Sequence, residues 1–83
     1  MKLNAYSIHD AQVSAFAQPF FSPTHGSALR AFSDHVNDGN SAPNKHPGDF
    51  SIYHLGTYED STGDLVAIKP TRIGTALEYL KKE

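Results

Sequence analysis

The chain has no cysteine and no tryptophan. Without cysteine there is no disulfide, no thiolate nucleophile and no cysteine-built zinc site. That absence fits a reducing compartment. Charge is scarce at 19% of residues, with nine acidic side chains against seven basic ones and a net charge of −2. A protein that grips duplex DNA mainly through phosphates carries a basic excess, so any nucleic-acid site here must be a local patch. No apolar run approaches the roughly 20 residues of a membrane-crossing helix. The opening residues lack the apolar core of a signal peptide. The expectation is a soluble, intracellular protein with no membrane partner.

Catalytic signatures are missing as well. There is no GxGxxG, no GxxxxGKS/T and no GxSxG. The five histidines (His9, His25, His35, His46 and His54) form no HxH, HxxxH or HExxH spacing. Ser, His and Asp are plentiful, but a triad is defined by geometry rather than abundance. The reading is a protein that is not an enzyme and needs no cofactor or metal.

What is present suits one small domain. Eighty-three residues allow one domain, residues 1–83. A chain this short buries only about 60–65% of the surface it exposes when unfolded. Five Phe and four Tyr supply all the rings, and large rings are an efficient core for a short chain.

Residues 2–8 are apolar-rich, with Tyr6 and Ile8 two apart, and read as a strand ended by His9-Asp10. Residues 11–21 have no clean period, and Pro19 argues against a strand or helix interior. They read as an ordered connection whose Phe16, Phe20 and Phe21 pack down onto the core. Ser22-Pro23 is a good helix start. Ala28, Leu29, Phe32 and Val36 then recur at helical spacing, and Gly39 supplies a stop. This predicts a helix over residues 23–37. A loop follows over residues 40–48. Residues 50–58 and 65–69 are two β-forming runs around a turn with Gly63, which makes an antiparallel hairpin. Pro70 is expected to end or bend the second run. Thr75 would cap a short last helix over residues 76–82. The expected fold is α+β, in the order β-α-β-β: a small three-stranded, mainly antiparallel sheet with one main helix packed on one face.

Three groups of residues invite a functional reading. His9 and Asp10 would contribute to a composite His/Asp site, against the alternative of ordinary hydrogen-bonded or surface histidines. Asp34 and Asp38 would hold a cation or a basic partner near the helix end, unless they are a solvated face. Lys69, Arg72, Lys81 and Lys82 gather late in the chain beside Tyr79, with Tyr53 and Tyr58 on the preceding strand. Basic residues beside rings are the pattern that stacks and holds single-stranded nucleic acid. With Arg30 on the helix, these are the candidate nucleic-acid contacts. A low-charge domain with nine rings also suits a homodimer or a protein partner through an exposed sheet face or edge.

Several stretches occur together: Lys2-Leu3-Asn4-Ala5-Tyr6-Ser7-Ile8-His9-Asp10, Pro19-Phe20-Phe21, the run Ala28-Leu29-Arg30-Ala31-Phe32-Ser33-Asp34-His35-Val36-Asn37-Asp38, His46-Pro47-Gly48-Asp49-Phe50, Tyr53-His54-Leu55-Gly56 and the turn from Asp60 to Gly63. In this order and spacing they resemble the small nonstructural protein of gokushoviruses, the single-stranded-DNA phages of the Microviridae. The resemblance covers most of the chain and fades after Pro70. It implies a phage protein of the host cytoplasm that is absent from the virion. It also implies a role in viral DNA replication or single-strand synthesis, with single-stranded DNA or phage or host replication proteins as partners. It implies no catalytic residue. The competing expectation is a module that targets a host protein and never touches DNA.

Overall fold

The structure is a computed structural model that describes residues 1–81. Strand β1 (Lys2–Asp10) is followed by two short strands, β2 (Ala15–Phe16) and β3 (Phe20–Ser22). Helix α1 (His25–Val36) comes next, then a one-turn helix α2 (Ala42–Lys45) and a 3₁₀ turn (Pro47–Asp49). Strands β4 (Phe50–Glu59) and β5 (Asp64–Thr75) form the long hairpin, and α3 (Ala76–Tyr79) closes the chain's described part.

All pairings are antiparallel, in the order β2-β1-β4-β5, with β3 also on β1. The expected three-stranded sheet with one main helix is therefore corrected. The molecule is mostly a five-stranded antiparallel sheet curled into a half-barrel, with small helices. The cause lies in the segment read as a connection. With β4 on one side, β1 has a second edge of unpaired N–H and C=O groups. Ala15–Phe16 pairs with Asp10 and His9 there, and Phe20–Ser22 pairs with Tyr6, Ala5 and Asn4. Pro19 sits in the gap between these two short strands, where no ladder bond is needed.

Pro70 does not end β5. It lies on an edge strand, in an irregularity where Ile68, Lys69 and Pro70 face the single residue Leu55, so its missing N–H leaves no ladder bond unmade. Leu55 is also the extra residue between the paired positions of β1 and β4. Such bulges bend and twist a strand, which accounts for the curl.

Helix α1 starts at His25 rather than Pro23. Thr24, not Ser22, is its cap, with Oγ1 accepting from the Ser27 N–H at 3.1 Å. Ser22 is the last residue of β3 instead. The apolar stripe holds: Ala28, Phe32 and Val36 are buried against Tyr6, Ile52 and Ala76. Thr75 does cap α3, in a reciprocal capping box with Glu78. That helix spans Ala76–Tyr79, shorter than expected. Lys82 lies outside the described residues.

Candidate nucleic-acid interface

Directly paired strand residues share a face. One face carries Tyr6, Ile8, Phe20, Phe50 and Ile52, and the helices pack on it. The opposite face carries Leu3, Ala5, Ser7 and His9 from β1, Phe16 from β2, Phe21 from β3, and Tyr53 and Tyr58 from β4. None of those residues belongs to the core cluster.

At one end of this open face three rings meet. His9 lies 4.6 Å from Phe16 and 5.8 Å from Tyr53, centroid to centroid, and Phe16 lies 5.3 Å from Tyr53. The last pair is edge-on, at 81°, an arrangement that suits ring quadrupoles. Phe16 remains 45% exposed. Arg72 is registered opposite Tyr53 on β5, so its side chain leaves the sheet on the same face as the ring cluster. At the other end Phe21 and Tyr58 pair at 5.5 Å. The distance between the two ends follows from β1, where His9 and Leu3 are six positions apart, roughly 20 Å at strand rise. The floor between them is made of small residues: Ser7, Ala5 and Gly56, all buried. Ser7 Oγ donates to the Ala17 carbonyl at 2.6 Å, so the floor holds no unpaired hydroxyl there. Beside Phe21 an apolar hollow of about 200 Å³ is lined by Ala5, Pro19, Leu55, Leu65 and Ala67 among others.

Of the expected DNA contacts among the described residues, Arg72 alone has a position registered against a ring of this face. Lys69 is exposed on the same strand, in the irregular stretch beside Leu55. Arg30 is exposed on α1, on the helix side. Lys81 follows α3, and its N–H donates to Asn37 Oδ1 at 2.8 Å. The basic cluster read from the sequence is thus divided between the edge strand and the helix layer. Tyr79, expected beside it, packs edge-on against Phe32 in the core.

The other groups also resolve. His9 and Asp10 do not form a composite site. His9 belongs to the ring cluster, and Asp10 Oδ1 accepts from the Gln12 N–H at 2.9 Å in the following turn. Asp38 Oδ1 accepts from the Asn40 N–H at 3.0 Å, which is turn chemistry.

A polar cluster that the sequence reading missed lies under the start of α1. The buried Tyr6 hydroxyl is 2.6 Å from His25 Nδ1, and the His25 and His54 rings are 4.7 Å apart. Asn4 Nδ2 donates to the Pro23 carbonyl, which turns its Oδ1 toward His54 Nε2 at 3.1 Å. An acceptor there requires that His54 carry its hydrogen on Nε2. Burial pushes the Tyr6 hydroxyl above its ordinary pKa. Among the described residues no three His, Asp or Glu side chains gather as metal ligands do. This network ties β1 and β4 to the helix start.

No curated protein matches the chain, and no solved structure does. The profile of one family, described as Phage ORF5 protein, matches residues 3–79. That span runs from β1 through α3 and takes in both ring clusters and Arg72, so the chain belongs to the phage ORF5 protein family.

Proposed function

We propose that this phage protein is a non-enzymatic accessory factor of the gokushovirus type, acting in viral DNA replication or single-strand synthesis in the host cytoplasm. It would do so by holding single-stranded DNA on the open sheet face. The observation that carries this reading is the Phe16–His9–Tyr53 ring cluster, with Arg72 registered opposite Tyr53, on the sheet face away from the core cluster. Unpaired bases present π-faces that stack on such rings, at about 1–3 kcal/mol per base. Duplex DNA hides those faces, and a net charge of −2 gives little phosphate attraction to compensate. The reading therefore calls for a preference for single strands and a shallow salt dependence. Fluorescence anisotropy with labelled single-stranded and duplex oligonucleotides, at low and near-physiological salt, tests it. Single-strand binding at micromolar or tighter Kd, with duplex clearly weaker, is the expected result. No binding even at low salt discards direct DNA recognition.

One observation favours a second reading, a module that binds a host protein and no DNA. The hollow beside Phe21 is lined almost entirely by apolar atoms. It would leave the polar edge of a nucleobase unpaired, and it suits an apolar anchor side chain of a protein. That reading requires a specific host protein that co-purifies with the wild type and is lost from Leu65→Glu.

A further inference from the structure

The two halves of edge strand β5 are guarded differently. Its later half carries Lys69, Pro70, Arg72 and two breaks in register, which are devices that keep an edge from pairing with another chain. Its first half, from Asp64 to Ala67, carries no Lys, no Pro and no break in register. The ladder to β4 is regular from Asp64 to Ala67, and Leu65 is 66%, Val66 57% and Ile68 40% exposed.

The backbone there is turned for pairing. A Cβ on Gly56 would collide with the Val66 carbonyl oxygen, so that carbonyl points into the sheet toward β4. Peptide groups of an antiparallel strand point alternately to either side. The N–H and C=O groups of Leu65 and Ala67 therefore point to the open edge.

We propose that this stretch pairs with the same stretch of a second copy, antiparallel, about a two-fold axis at Val66. The charges choose the direction. Asp64 opens the stretch and Lys69 closes it. Antiparallel pairing brings each acidic end to the other copy's basic end, whereas parallel pairing sets like beside like. Symmetry chooses the register. A two-fold axis normal to the sheet preserves faces, and paired residues share a face. The centre must then fall on a residue, not between two. With Val66 at the centre, Leu65 faces Ala67 of the second copy and Ala67 faces Leu65. Both are the edge-pointing residues, so each such pair exchanges both of its N–H···O bonds. Pro70 stays clear of the seam. The same axis keeps both open faces on one side of a continuous sheet, with the two Phe21–Tyr58 pairs nearer the axis and the two Phe16–Tyr53 clusters at the outer ends. This inference does not depend on DNA binding.

Sedimentation equilibrium on the wild type at about 100 μM, where a contact of micromolar Kd is mostly formed, should report about twice the 9.1 kDa chain mass. Ala67→Pro removes an N–H that β4 does not use, so it should keep the wild-type circular dichroism spectrum and sediment as a monomer. Val66→Cys tests the seam independently. The chain has no other cysteine, and facing positions of this kind lie about 4.5 Å apart at Cα. It should oxidise to a disulfide-linked dimer at least about tenfold faster than Ser61→Cys in the hairpin turn. A monomeric wild type, a folded Ala67→Pro that remains dimeric, or equal oxidation rates for the two cysteine variants would overturn the proposal.

Discussion

The same three long strands behave differently at their two ends. Residues 6–10, 50–54 and 71–75 sit beneath the helices, where Tyr6 and Ile52 reach 0% exposure and Phe32 1%. Residues 2–5, 56–59 and 64–68 contribute nothing to the core cluster. They extend the molecule to 44 Å along an axis against 25 and 18 Å across it. A chain this short has apolar material enough to cover one end of one face. At the open end the β-forming residues Leu65, Val66 and Ile68 of β5 stay exposed. The difference separates two kinds of apolar side chain: those that hold the fold, and those left for something outside the chain to touch.

Substitutions can break that comparison. The largest expected effect is in the core. Phe32→Ala should cost about 3–5 kcal/mol, while Leu65→Ala at the open end should stay within about 0.5 kcal/mol. Denaturant melts of the two variants check this, and similar losses would erase the distinction. Next comes the open face. Phe16→Ala should leave stability nearly unchanged yet weaken single-strand binding about 5- to 150-fold, the range for one lost stacking contact, read by anisotropy. Thr75→Ala removes the α3 cap and should cost about 1 kcal/mol, visible as a small drop in Tm without loss of binding.

The smallest effect concerns pH. Burial holds the Tyr6 hydroxyl above its ordinary value of about 10. The unfolded chain therefore releases that proton at lower pH than the folded one. The contribution is fully present below the ordinary tyrosine value and declines as pH rises through the folded one. Thermal melts above pH of about 10 should fall less steeply for Tyr6→Phe than for the wild type.

The elements with local signals were the legible ones. The α1 stripe, the hairpin around Gly63 and the Thr75 cap rest on local signals within a turn or two of chain, and those survive in one sequence. Strands β2 and β3 are two and three residues long, too short to show a period of two. They exist because β1 offers them a free edge, a tertiary cause no local window contains. Pro70 misled for a related reason: its cost depends on whether the strand is an edge, which only topology decides. The site was half legible. Arg72 and Tyr53 could be singled out as residue types. The ring cluster could not, because His9, Phe16 and Tyr53 are joined by register across three strands. Lys81 looked like a neighbour of Arg72 in sequence, but α3 turns it back to the helix layer, where Asn37 holds its backbone.

The central claim is that the open face, and not the helix layer, receives single-stranded DNA. An NMR titration of the isotope-labelled protein with a short oligothymidine tests it most directly, since every residue reports at once. The account predicts saturable shifts at His9, Phe16, Tyr53 and Arg72, with Arg30 and Lys81 unmoved. Shifts confined to Arg30 and Lys81, or no shifts at any residue, would contradict it.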